Sequence, residues 1–259
     1  TWSAIGIFGL GYFSARKDEF DVLFRASTYF YLHFQYNGFF LFSCIGLFLI
    51  SLKKYGVQIQ EKMNKNILRL LAVGCFFGYG LSILWIDMPE LLHIFFGMIS
   101  ILQFIGAIRL WMWFDQTKLF KKQHVIQKWL LAVVGFAFLG KFILQILSAI
   151  PELGIYVFSN INIVIGYLHL VLLMGVSLFL IWQMLHLENI KISKFLQTSI
   201  VIMIFGIACN EVVLGLSGLF SIVYIPFLSA KYWLLFASVV IMISIGMLIR
   251  ALRIKELHQ

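Results

Sequence analysis

Three histidines stand in stretches too apolar to hold an ionisable group casually. His33 lies in YFYLHFQYNGFF, His93 in PELLHIFFG and His169 in IGYLHLVLLMG. A neutral imidazole is a good ligand for haem iron and other transition metals. On a helix, His33, Tyr36 and Asn37 share one face through i, i+3 and i+4 spacing. Gly38 follows and leaves room for a neighbouring backbone or a flat ligand. The triplet YLH recurs at residues 167–169, again followed by a glycine, Gly175. Two histidines on facing helices can clamp one haem between them, with apolar walls over the porphyrin. Tyr36 and Asn37 are then candidate supporting groups, and Arg25 and Lys231 candidate cations for the propionates. Copper is the second choice of metal. His93, beside Glu90, is the weaker third ligand and suits a membrane interface equally. The plain alternative is that His33 and His169 only hydrogen-bond between helices, with Tyr31 and Tyr167 as partners.

The elements that must position these side chains follow from composition. The chain has 259 residues, 62% of them hydrophobic and 12% charged, with a mean hydropathy of +0.97. Soluble domains are roughly half apolar and a quarter charged. This excludes an ordinary cytosolic enzyme, a secreted disulfide scaffold and a disordered chain. What remains is an all-α, polytopic membrane helical bundle. A span takes about 20 mostly apolar residues. Seven complete transmembrane helices are expected near residues 27–52, 67–86, 90–113, 128–149, 157–185, 196–218 and 231–250. Residues 1–13 read as the last half of an eighth helix. The chain opens on Thr1, which points to a processed N-terminus or to the C-terminal part of a longer protein. The whole reads as a single transmembrane domain. The interval between His33 and His169 holds four spans, which suggests two related four-helix units.

Charge sets the orientation. Lys53, Lys54, Lys62, Lys65 and Arg69 follow the first complete span, and Lys118, Lys121, Lys122 and Lys128 the third. Lys191 and Lys194 follow the fifth, and Arg250, Arg253 and Lys255 close the chain. The opposite side holds Arg16, Lys17, Arg25 and Lys231, diluted by acids. By the positive-inside rule the first group faces the cytoplasm, and so does the C-terminal tail. The expected location is the bacterial inner membrane, multi-pass. The net charge of +9 therefore lies in short loops, with no basic face for nucleic acid. Cys44, Cys75 and Cys209 share no metal-binding spacing and read as small core residues.

Other polar residues fall within spans: Glu211 next to Asn210, Lys141 with Gln145, and Arg109 near an inner end. Glu211 and Lys141 suggest either a neutralising ion pair or steps of an ion path. They support a second reading, a secondary transporter or channel, although no helix is broken by proline or clustered glycine at matching positions in the two halves. A third reading is a non-catalytic membrane scaffold subunit whose polar groups only fix helix packing.

The runs YLHFQYNG and YLHLVLL resemble a poorly characterised bacterial family of integral membrane proteins, distantly similar to haem–copper oxidase subunit I and its nitric oxide reductase relatives. The resemblance covers most of the chain. It implies a respiratory-type haem protein in electron transfer or diatomic-gas (O2 or NO) chemistry, with His33 and His169 as haem or metal ligands and His93 behind them. It also implies an upstream histidine-rich helix. Partners are then the lipid bilayer and either that upstream segment or other subunits of a respiratory complex. The chain departs from the oxidase pattern in having no His-His pair and no His-x-His. Alone it cannot assemble a complete haem–copper centre. No sequence feature marks a substrate site, so whether the protein is an enzyme stays open.

Overall fold

The computed structural model describes residues 2–54, 61–116, 123–187, 190 and 192–256. Lys118, Lys121, Lys122, Lys191 and His258 lie outside the described residues. Every regular element among the described residues is helical. In order they are α1 (Ser3–Ser14), α2 (Asp21–His33), α3 (Leu41–Lys54), α4 (Glu61–Phe77), α5 (Glu90–Gln116), α6 (Val125–Ser148), α7 (Pro151–Ser159), α8 (Ile161–His169), α9 (Leu178–Leu187), α10 (Lys194–Ile222) and α11 (Ala230–Glu256). Two π-helical segments join consecutive helices without a break. We call Phe34–Phe40, between α2 and α3, π1, and Leu170–Ser177, between α8 and α9, π2. A 3₁₀ segment, Gly78–Ile83, ends α4.

Among the described residues seven helical stretches are long and apolar enough to cross a membrane: Asp21–Lys54, Lys65–Ile83, Glu90–Phe114, Val125–Ser148, Ile161–His186, Lys194–Ile222 and Ala230–Arg253. The chain is a multi-pass, all-α membrane protein. Phe8, Phe136 and Met242 are each more than 60% exposed. Such residues would drive aggregation in water and are ordinary against lipid. The twelve-residue α1 is apolar and shorter than a membrane span. Two boundaries differ from those read in the sequence. The first span begins at Asp21, so Arg25 lies within a helix. The fifth is cut at Asn160, whose extended backbone separates α7 from α8 while its side chain accepts from the Asn162 N–H. That cap satisfies a helix-end donor, and a run of apolar residues gives no hint of it.

The chain divides into two compact units. The first comprises α1–α5, the second half of α6 from Phe138, and α7 up to Phe158; the second comprises the first half of α6 and α8–α11. In the first unit small residues set the helix spacing. A Cβ at Gly6 would meet the Tyr31 backbone nitrogen at 2.6 Å, and one at Gly74 would meet Gln103 Cβ at 2.6 Å. α1 thus lies against α2, and α4 against α5, at close to backbone contact. Leu41, Ile45, Ile67, Leu71 and Phe142 form the apolar core where α3, α4 and α6 meet. In the second unit α8 runs antiparallel to α10: Ile163 faces Gly218, and Gly166 faces Leu214. Asn160 hydrogen-bonds Ser221 at one end of this pairing. α10 packs on α11 where Gly206 meets Val240 and Ile241.

Each unit follows the same local plan. A helix ends on a histidine, a π segment containing one glycine follows, and an α-helix resumes. His33, π1 and Gly38 make up the first instance; His169, π2 and Gly175 the second. In an i→i+5 helix the ring of backbone atoms is wider and carbonyls are displaced from their usual donors. The Leu41 N–H reaches Tyr36 O at the end of π1, and Ser177 Oγ donates to Leu172 O, 3.0 Å away, at the end of π2. π segments occur often at functional sites, and here both begin at the residue after a histidine.

Candidate functional site

His33 is 1% exposed and lies inside the first unit. Its Nε2 is 2.8 Å from the Cys75 backbone carbonyl on α4. Asn37 Nδ2 is 3.1 Å and Ser82 Oγ 3.2 Å from its Nδ1. A carbonyl can only accept, so Nε2 carries the proton and Nδ1 offers a lone pair to the Asn37 amide and the Ser82 hydroxyl. The tautomer is fixed by the backbone. Tyr36, buried on π1, hydrogen-bonds Ser82 as well. The rings of Phe34, Tyr36 and Tyr79 stand edge-on to the imidazole at 5.2–6.2 Å between centroids. The expected face of His33, Tyr36 and Asn37 is therefore real, and it points into packed protein. Tyr31, named as a partner for His33 in the plain alternative, instead presents its backbone to Gly6.

His169 is built differently. It is half-buried at the end of α8, a helix with no fully buried residue. Asn210 Nδ2 on α10 lies 3.0 Å from its Nδ1. A carboxamide can present either end, so Asn210 serves both tautomers: its NH2 donates to a bare Nδ1, and its oxygen accepts from Nδ1–H. In the second case Nε2 has its lone pair free for a metal. Among the described residues no hydrogen bond reaches that Nε2. Asn210 is 6% exposed, and Glu211 beside it keeps a buried Oε1 without a partner.

The remaining candidates stand apart. His93 is in the first turn of α5, half-buried, with an unpartnered Nδ1. Arg25 sits 3.9 Å from Asp21 and stacks over the Trp85 ring at 4.4 Å. Lys231 lies 5.1 Å from the Tyr232 ring at the start of α11. Lys141 and Glu211 belong to different units. Lys141 donates to Gln145 Oε1, 2.6 Å away, and rests over the Phe142 ring. Among the described residues no three of His, Cys, Asp and Glu form a group that could hold a metal ion. A multi-ligand copper site finds no such group here.

As a test for haem, the two histidines give opposite results. His33 as placed cannot ligate iron, because both ring nitrogens are engaged and Nε2 is held by a carbonyl that cannot reverse its role. His169 fits, since its orienting partner tolerates the tautomer that ligation requires, as outer-shell partners of metal-bound histidines do. Sequence reasoning missed three parts of this picture. The Cys75 contribution is a main-chain oxygen. Ser82 lies in a 3₁₀ turn whose register is not visible from hydropathy. Gln103, 1% exposed on α5, was detectable as a polar residue within the apolar run SILQFIGAI. Comparison with known proteins gives no matching family model, no curated relative and no solved structure of similar fold.

Proposed function

We propose that this chain is an integral membrane haem-binding protein of respiratory type, serving electron transfer or diatomic-gas chemistry, in which His169 would hold the iron. The observation that carries the reading is the His169–Asn210 pair: an imidazole at a helix-to-π junction, oriented through Nδ1 and open at Nε2. When bound, haem supplies one-electron chemistry at iron and an affinity for diatomic gases. Asn210 orients the imidazole and, by accepting from Nδ1–H, raises its basicity as a ligand. His33 holds α2 to α4 and supports the bundle. Lys and Arg asymmetry supports a bacterial inner-membrane location with the C-terminus inside. An upstream segment or another respiratory subunit would supply whatever further ligand the iron takes.

A second reading, a non-catalytic scaffold subunit, is favoured by the fully bonded His33, which packs helices as a structural residue does.

Oxidised and dithionite-reduced absorption spectra of the purified protein test the reading. A Soret band with a redox shift is expected in the wild type and in His33→Gln, and is lost or altered in His169→Ala. A colourless preparation from haem-supplied cells, or a His169→Ala spectrum identical to wild type, would overturn it and leave the scaffold.

A further inference from the structure

The turn between α10 and α11 is apolar and open. Between Glu211 and Arg250 the chain carries one charged side chain, Lys231. The connecting residues 223–229 read VYIPFLS. Tyr224 is 94% and Leu228 81% exposed, and Val223, Ile225 and Pro226 are exposed beside them. Exposed apolar side chains continue onto both helices at Ile222, Trp233 and Leu235. The turn is nevertheless built to a defined shape. Tyr224 N–H reaches Ser221 O at 3.3 Å and Ile225 N–H reaches Phe220 O at 2.9 Å. These paired bonds close a helix C-terminus around a left-handed residue. Tyr224 is that residue, with a φ of 56°, the one positive φ outside glycine among the described residues. A side chain there crowds the following carbonyl oxygen, which is why glycine usually fills the place. Phe227 folds back edge-on to Phe220, with 5.4 Å between ring centroids. Leu228 N–H bonds Pro226 O, and Ala230 N–H bonds Phe227 O.

Two features of this turn identify its surroundings. Glycine would close the same helix end without strain, and a side chain 94% exposed recovers nothing by packing within the chain. What the Tyr224 phenol touches lies outside. The backbone supplies the second feature. Tyr224, Ile225, Leu228 and Ala230 spend their N–H groups inside the turn, and Pro226 has none to place. A backbone satisfied in this way suits a medium that offers few hydrogen bonds. Turns that face water carry polar groups instead, as the α1–α2 turn does with Arg16, Lys17, Asp18 and Glu19. A water-soluble protein partner would meet no polar rim around the patch, since Lys231 is the single charge on either flank. We propose that the α10–α11 turn is a lipid-docking element, immersed at the boundary between headgroups and acyl chains of the leaflet where α10 ends, with Tyr224 as its anchor. Tyrosine collects at that level because its ring is apolar and its tip polar. Lys231, with its ammonium 5.1 Å from the Tyr232 ring, then meets lipid phosphate. In the proposed orientation this is the outer leaflet.

Nitroxide labels test this in protein reconstituted into vesicles of phosphatidylcholine and phosphatidylglycerol. Tyr224→Cys, Leu228→Cys and, at an exposed position of the α1–α2 turn, Glu19→Cys are each labelled in a background without Cys44, Cys75 and Cys209. Collision with oxygen, which partitions into lipid, is compared with collision with a nickel chelate, which stays in water. The oxygen-to-nickel ratio should be several-fold higher at Tyr224→Cys and Leu228→Cys than at Glu19→Cys. Adding Tyr224→Gly, which keeps the helix cap, should lower the ratio at Leu228→Cys. A Leu228→Cys ratio equal to that of Glu19→Cys would put the turn in water and overturn the proposal. Labels shielded from oxygen and nickel alike would place a protein partner or a second copy over the turn, and would overturn it too. A Leu228→Cys ratio unmoved by Tyr224→Gly would overturn Tyr224 as the anchor. Leu228→Cys leaves Tyr224 in place, so the test stands if Tyr224→Cys fails to fold. The haem reading at His169 is judged by its spectrum alone and is untouched by any of these results.

Discussion

His33 and Asn37 are joined side chain to side chain, Nδ1 to Nδ2 at 3.1 Å, across the start of π1. The equivalent histidine of the second unit reaches its asparagine on another helix, Asn210, at 3.0 Å. One pair is local and sealed by a carbonyl; the other links α8 to α10 and leaves a ring nitrogen open. The same two residue types thus form a local pair within one chain segment in one unit and a helix-to-helix pair in the other.

Removing the sealed imidazole should cost stability. His33→Ala leaves the Cys75 carbonyl and the Asn37 amide buried without partners, and each orphaned group costs about 1–3 kcal/mol. A thermal melt in detergent should show a clear fall in midpoint. His33→Gln, whose carboxamide can still donate to Cys75, should recover part of it. A melt of His33→Ala equal to wild type would remove the packing role.

Close helix contacts give a second test. A Cβ at Gly80 would fall within the ring of Phe96. Overpacking of this kind costs about 1–3 kcal/mol. Gly80→Ala should destabilise, and the added change Phe96→Leu should restore much of the loss. Gly6→Ala should destabilise too, without rescue from any side chain, because it meets Tyr31 and Ser27 backbone atoms. Double-mutant melts separate the two cases.

Asn160 caps α8 and hydrogen-bonds Ser221 at the far end of the α8–α10 pairing. Asn160→Ala should lower the unfolding free energy by roughly 1 kcal/mol, the usual worth of an N-cap. Asn160→Asp keeps the acceptor for Asn162 and should lose less. Denaturant titration in mixed micelles would rank the three proteins.

The proposed orientation predicts opposite labelling at the two ends of the first span. A cysteine placed at Glu19, in a background without Cys44, Cys75 and Cys209, should react with an impermeant maleimide added outside intact cells. A cysteine at Lys54 should react only after permeabilisation. The reverse pattern would invert the topology.

Much of this architecture was legible in the sequence, because a membrane span writes itself as length and hydropathy. All seven stretches fall near their expected places. Asn160 shows where that signal fails: a cap residue inside a hydrophobic run changes average hydropathy very little, yet it ends one helix and starts another. The face shared by His33, Tyr36 and Asn37 was readable from spacing. Its destination was not, since the group that fixes His33 is the Cys75 main-chain oxygen, which every residue type possesses. The pairing of His169 with Asn210 was equally hidden. Asn210 was noticed for its neighbour Glu211, and no local pattern links residues on separate helices. The π segments were invisible for a similar reason, as nothing in the residue types of FQYNGFF or LVLLMGVS marks an i→i+5 bonding pattern.

Those segments also constrain how the chain can change length. An i→i+5 ring takes in one residue more than an i→i+4 ring, so π1 and π2 act like single-residue insertions absorbed without a loop. Deleting one residue from Phe34–Phe40 would restore an uninterrupted α-helix of nearly the same reach. The flanking turns would keep nearly the same facing, so Leu41 and Ile45 would stay seated in the core and His33 would still look towards the Cys75 carbonyl. What would be lost is the widened ring of backbone atoms beside the imidazole. The extra residue therefore shapes the backbone next to His33 and leaves its direction unchanged.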